Sequence, residues 1–236
     1  GAPGLGACAL PRGADPAAAR ELYTKWKADL LTADGAGGFL RVRRPNSGTQ
    51  INSSNSEGIA YGMLISVYMD DQPTFDALWQ YALLHRGSNG LMEWEISPQG
   101  SVIGSGAASD ADEDMAFALV MADARWGGRG SLPDTYLNYA KNQIDLIWRF
   151  EVDHARGDVL MPGDKFGGAQ VINISYFAPA YYRVFGEVTG NTAEWARVVE
   201  SSYRILAATL NAANKNANNG LVPAWSQQEA AKVRGH

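Results

Sequence analysis

The 236-residue chain contains one cysteine, Cys8, so no disulfide can close within it and no multi-cysteine metal site can form. A lone thiol suits a reducing compartment, and equally an exported protein whose second cysteine lies outside these residues. No run of Lys or Arg occurs and the formal net charge is −5, which argues against a nucleic-acid partner or an anionic membrane surface. No apolar stretch approaches the roughly 18 residues that a spanning helix requires. The opening "GAPGLGACALPRGADP" lacks the basic-then-apolar order of a signal peptide, so an exported form would carry it already processed. Apolar residues, by contrast, make up 46% of the chain, enough to bury the core of one large domain over residues 1–236.

Helical spacing dominates. Asp15-Pro16 opens a first helix with Leu22, Trp26 and Leu30 on one stripe. Ser56 is expected to cap a second, striped by Tyr61, Leu64, Ile65 and Tyr68, after a Gly/Ser/Asn-rich loop over 35–55. A third carries Phe75, Leu78, Trp79, Ala82 and Leu83, and a fourth after Ser109 carries Met115, Ala118, Leu119, Ala122 and Trp126. Between these two, residues 90–106 read as a small β-hairpin or ordered loop around Pro98-Gln99-Gly100. Pro133-Asp134 launches a fifth helix, Ser175 a sixth and Thr192 a seventh, while "NKNANNG" and "QQEAAKVRGH" read as loop. About seven helices joined by alternating short and long loops predict an all-α stack of antiparallel hairpins.

Two local patterns point to chemistry. In "NSEGIAYG", Gly58 and Gly62 share a helix face although each costs about 1 kcal/mol relative to Ala. Either another helix or a ligand must therefore come close. Glu57 stands at the mouth of that helix, where the helix dipole favours the ionised form and a second buried carboxylate would oppose this. In "ASDADEDMAFALVMADARW", Asp110, Asp112 and Asp114 crowd the start of the fourth helix; Asp114 reads as a favourable charge at a helix N-terminus. A calcium loop is excluded because Met115 stands where Gly is required and Met121 where the bidentate Glu belongs. Carboxylates at the mouths of two helices, with aromatics in the loops between, suit acid-catalysed cleavage of a glycosidic bond.

Together "SEGIAYGM" and "ASDADEDMAFALVMADARW" resemble glycoside hydrolase family 8, and the second matches that family's A-[ST]-D-[AG]-D signature. "NISYFAPAYYRVFGEVTGN" is similar to the family's Asn-Pro-Ser-Tyr segment, with Ile174 in place of the proline. The resemblance spans essentially the whole chain and is strongest to bacterial endoglucanases. It implies an (α/α)6 toroid, an inverting endo-β-1,4-glucanase and a secreted bacterial protein, acting as a monomer on β-glucan with no cofactor or metal.

The resemblance makes Glu57 the general acid, Asp110 the residue that holds the distorted central sugar, and Tyr176 the one that positions the attacking water. Trp94 and Phe166 become stacking platforms, with Tyr61 and Asp112 as further sugar contacts. The family's general base lies in a Tyr-Asp…Arg-x-Pro-[WF]-Arg segment absent here, so the domain is expected to be incomplete at its C-terminus and the base to lie beyond residue 236, whether on the same polypeptide or on a separate fragment. Asp112 as substitute base is disfavoured, since it shares a turn with Asp110 and both are expected to face the same side of the sugar ring. β-1,4-Glucan ranks first as substrate, then mixed-linkage glucan, chitosan and xylan. A non-catalytic polysaccharide-binding fragment and a ligand-free helical scaffold are the competing classes.

Overall fold

A computed structural model describes residues 13, 15–47, 49–168 and 171–227. Cys8 and most of the final "QQEAAKVRGH" lie outside them. Seven helices are present among the described residues: α1 (Pro16–Leu30), α2 (Ser56–Tyr68), α3 (Gln72–Leu84), α4 (Ser109–Trp126), α5 (Tyr136–Phe150), α6 (Pro179–Thr189) and α7 (Thr192–Thr209). None of them is long and apolar enough to cross a membrane.

Side-chain caps explain four of the seven helix starts. Asp15 accepts from Ala17 N at 2.8 Å to open α1, with Pro16 in the first turn. For α2 the cap is Asn55 rather than Ser56, its Oδ1 accepting from Gly58 N at 2.9 Å. α6 starts at Pro179, four residues later than the expected Ser175, because residues 174–176 form a separate 3-10 turn.

α2 packs against α3 and α4, α4 against α5, and α6 against α7. One apolar cluster gathers Ile59, Met63, Phe75, Leu78, Met115 and Leu119; a second gathers Ile144, Ile147, Tyr182, Phe185, Trp195 and Val198, with Ala116 reaching it from α4. α4 is thus covered on two sides. The expected stripes of α3 and α4 lie in this core, but that of α2 does so only in part: Leu64 packs against it, Tyr61 and Tyr68 are exposed, and the buried face is Ile59, Ala60, Gly62, Met63, Ser66 and Val67. α2 is apolar nearly all round, so spacing alone could not say which side faces inward. In α1, likewise, Leu22 is exposed and Tyr23 is buried instead, donating its hydroxyl to Asp71 Oδ2 at 2.9 Å.

Short antiparallel pairs occupy the loops. β1 (Leu31–Thr32) pairs with β2 (Arg41–Val42), and β3 (Ser54–Asn55), β4 (Glu95–Ile96) and β5 (Val102–Gly104) form a three-stranded sheet. The expected hairpin at 90–106 is therefore present, and β3 adds to its edge a strand from the preceding loop. β6 (Val152–Asp153) pairs with β7 (Val159–Leu160), and β8 (Ile172–Asn173) with β9 (Trp225–Ser226). The three-stranded sheet sets the start of α2 beside the hairpin, where Ser56 N donates to Trp94 O at 3.0 Å.

The two glycines of α2 serve packing. A Cβ on Gly62 would meet Leu78 Cδ1 at 2.8 Å and Val42 Cγ2 at 3.1 Å. Gly58 lies under the Asn55 cap and Val42. Gly62→Val is expected to cost roughly 3 kcal/mol by overpacking, read as a fall in thermal midpoint of about 2–4 °C per kcal/mol for a chain of this size.

Candidate active site

The mouths of α2 and α4 open onto one cavity of about 370 Å³. Glu57 and Tyr61 line it from α2, Asp110, Glu113 and Asp114 from α4, and Ser175, Tyr176 and Tyr181 from the 3-10 turn and α6. Glu57, Asp110, Tyr176 and Tyr61, four of the residues expected from sequence, therefore meet in one place. Glu57 Oε1 accepts from the Tyr61 hydroxyl at 2.9 Å, a contact between successive turns of the helix. Burial, and after it that bond, pushes the Tyr61 phenol up to about 12.

Asp110 is the most informative group. Its Oδ1 is buried and has no hydrogen-bond partner among the described residues. Burial pushes its carboxyl up to about 6; the Ala111 backbone N–H opposes this, and the charges of Glu57 and Asp114 add to it. The Tyr176 hydroxyl is pushed up to about 12, first by burial and then by the charges of Asp110 and Glu57.

Asp112 does not belong to this cavity. It is fully buried, with Oδ1 accepting from Gln143 Nε2 at 3.0 Å and Glu151 beside it. The expectation that it contacts sugar, or faces the same side as Asp110, is overturned. Two residues along a helix turn a side chain by about 200°, so Asp112 points inward where Asp110 points out. The same geometry recovers Asp114 and Glu113, which lie four and three residues from Asp110 and share its face. Asp114, read from sequence as a favourable end charge, is a wall of the cavity; burial raises its carboxyl, and the Tyr181 hydroxyl lies against it. Glu113 Oε1 accepts from the buried Tyr182 hydroxyl at 2.7 Å.

The acids of α4 do not cap their own helix. The N-cap is Ala108, and the turn is held from outside by Ser109, whose hydroxyl donates to Met161 O at 2.7 Å and whose N–H donates to Pro162 O at 3.0 Å.

Two further cavities continue the first. One of about 390 Å³ shares Tyr176 and is lined by Trp94, Phe166, Trp225, Pro162, Asp164 and Lys165. Trp94 and Phe166 are 38% and 50% exposed, as platforms need to be. Gly104 lies directly beneath the Trp94 indole, where a Cβ would meet Cε2 at 2.4 Å. Trp225 stands edge-on to Phe166, with ring centroids 6.0 Å apart. It escaped the sequence reading because β9 joins β8 across some fifty residues of chain. The other cavity, about 340 Å³, shares Glu57 and Tyr61 and adds Trp26, Arg43, Arg44 and Pro45. The three adjoin through these shared residues, with Glu57, Asp110 and Tyr176 lining the central one. The buried Glu95 anchors that end, accepting from Thr49 N at 3.0 Å, from Thr49 Oγ1 at 2.8 Å and from Arg44.

A family model described as Glycosyl hydrolases family 8 matches residues 9–236. Endoglucanase 2 of Ruminiclostridium josui is 41% identical over 216 residues, which is 90% of this chain and 45% of that protein. Endoglucanase A of Acetivibrio thermocellus is 39% identical over 219 residues, 90% of this chain and 44% of its own length. The chain thus spans about half the length of the curated relatives it matches. Among solved structures, the apo Beta-1,3-1,4-glucanase from Paenibacillus sp. X4 superposes with a TM-score of 0.78 at 27% identity, covering 93% of this chain and 59% of that one. A cold-adapted family 8 xylanase superposes at 0.76 with 20% identity, covering 94% and 60%, a likeness of fold. These place the seven helices in the (α/α)6 toroid.

If Glu57 and Asp110 interact across the cavity, Glu57→Gln should move the Asp110 titration from about 6 part of the way towards an ordinary aspartate value near 4. Carbon-13 NMR of the Asp110 carboxyl reads the change, and burial keeps the new value above the ordinary one.

Proposed function

The chain belongs to family 8 of the glycosyl hydrolases, and from that premise we propose that it carries the general-acid side of a groove that cleaves β-1,4-linked glucan within the polymer, with inversion at the anomeric carbon. The reading is carried by the unpaired, buried Oδ1 of Asp110, which lines the same cavity as Glu57. A buried acceptor without a donor is costly, and a sugar hydroxyl would supply the missing bond.

In this scheme Glu57 gives its proton to the glycosidic oxygen as the bond to the anomeric carbon breaks. A water beside the Tyr176 hydroxyl attacks that carbon from the opposite face, and its proton passes to a second carboxylate. Inversion requires that base at roughly 6.5–9.5 Å from the acid. We assign it to a segment beyond His236, in keeping with relatives about twice as long as this chain. Asp110 holds the central sugar, with Asp114 and Tyr181 beside it. Trp94, Phe166 and Trp225 offer faces to the apolar side of successive sugar rings. A groove continuous through three cavities suits a polymer cleaved internally, and a polymeric substrate places the protein outside the cell. No cofactor enters these steps.

Mixed-linkage glucan is the second reading, favoured by the name of the Beta-1,3-1,4-glucanase among the structural neighbours.

Reducing ends released from carboxymethylcellulose and mixed-linkage β-glucan are measured alongside cellotetraose binding. Glu57→Gln is expected to lower turnover by roughly 10²–10⁴-fold, with binding changed only a few-fold. An unchanged rate removes Glu57 as the acid. Because the base is assigned beyond His236, these rates are read on the protein that includes that segment, and binding by it without product removes the enzyme claim and leaves a polysaccharide-binding role.

A further inference from the structure

Two carboxyl groups sit behind the groove and take no part in its proposed chemistry. Asp112 on α4 and Glu151, which ends α5, are both fully buried and lie against each other. Gln143 Nε2 serves Asp112 Oδ1 at 3.0 Å. Asp112 Oδ2 and both carboxyl oxygens of Glu151 find no hydrogen-bond donor among the described residues. The charged groups facing them are Asp110 and Glu113 from α4 and Asp164 from the loop after β7, all acidic. Among the described residues no ion pair reaches either carboxylate, and no group of acids, histidines or cysteines is arranged to hold a metal ion. Two bare anions in contact, shielded from water and ringed by acids, are not a stable arrangement; one proton between them supplies the missing donor and removes one charge.

Their position gives the pair a task. The Glu151 carbonyl accepts from Met161 N at 2.8 Å, the Met161 carbonyl accepts from the Ser109 hydroxyl at 2.7 Å, and Ser109 lies three residues before Asp112. The contact between Asp112 and Glu151 closes this ring, and Asp110 sits on its α4 side.

We propose that Asp112 and Glu151 share one proton and, so joined, act as positioning residues that fasten the first turn of α4 to the 151–163 segment and hold Asp110 at the groove. The proposal rests on the reading of the groove only for what Asp110 does there; the sharing of a proton does not depend on it. Burial pushes both carboxyls well above the ordinary range, and the Asp112 charge pushes Glu151 the same way. A carboxyl raised in the folded state stabilises the fold while protonated, below its unfolded value near 4, and that stability is lost as pH rises through the folded value. The lost proton leaves like charges across the contact that closes the ring.

The test reads the 236-residue chain without substrate. Thermal unfolding is followed from pH 5 to pH 8, with hydrogen exchange of the Ser109 and Met161 amides corrected for the intrinsic effect of pH. The wild-type midpoint should fall with rising pH by roughly 5 °C more than that of Asp112→Asn, whose amide replaces the shared proton permanently. Wild-type exchange at the two amides should quicken with pH, and the variant should abolish that trend. Asp110 and Glu113 titrate in both proteins but feel the Asp112 charge, so agreement between Asp112→Asn and Glu151→Gln, the second of which keeps Asp112, isolates the pair. Glu151→Gln should behave as Asp112→Asn does and stands in if the latter does not fold. Independently, the wild-type Asp112 carboxyl carbon, assigned through bonds, should still be titrating well above pH 4. A single ionisation step near 4, or a variant with the wild-type pH slope and exchange trend, overturns the proposal. Failure to bind or cleave glucan would count against the substrate reading and leave these outcomes untouched.

Discussion

The first turn of α4 is seated by a neighbour. Its cap residue is Ala108, which has no side-chain acceptor to offer, and Ser109 fastens the turn to the carbonyls of Met161 and Pro162 instead. The same stretch of chain runs on into Asp164, Lys165 and Phe166, which wall the groove. Asp164 also accepts from Ala107 N at 2.8 Å and from Asn89 Nδ2 at 2.7 Å, so the wall is tied to the helix start and to the loop after α3 together. The acids and the aromatic wall are thereby one mechanical unit.

That seating permits an unusual density of charge. Asp110, Asp112, Glu113 and Asp114 follow one another along barely more than one turn, and a helix dipole alone is worth too little to hold four anions in so small a space. The turn distributes them. Asp110, Glu113 and Asp114 face the groove, while Asp112 points inward to Gln143 and Glu151. Burial then favours the neutral forms, and the Tyr182 hydroxyl gives Glu113 a donor. Among the described residues no cation pairs with any of the four, and an amide and a hydroxyl serve them instead.

Where a sequence carries one clear periodicity, the fold could be read from it. α3 and α4 bury the residues their spacing marks, and Asp15-Pro16 opens α1 as cap chemistry requires. α2 could not be oriented because apolar side chains surround it, and its outer side, Tyr61 included, proved to be the groove side. Of the candidate site, Glu57, Asp110, Tyr61, Tyr176, Trp94 and Phe166 were visible as residue types in familiar stretches, and all six line the groove. A linear pattern does not show that the roughly 100° step of the helix turns Asp112 inward and brings Asp114 round to the side of Asp110. Trp225 and Glu151 were hidden by distance along the chain, since one depends on β8 meeting β9 and the other on where α5 ends beneath α4.

Gly104 allows the Trp94 indole to rest on bare backbone, with no room for even a methyl group between them. The tilt of that ring is therefore governed by the residue below it as much as by the tryptophan itself. Changing the grip on a polymer without giving up the aromatic surface would begin at position 104, where each added carbon acts as a wedge under the plate.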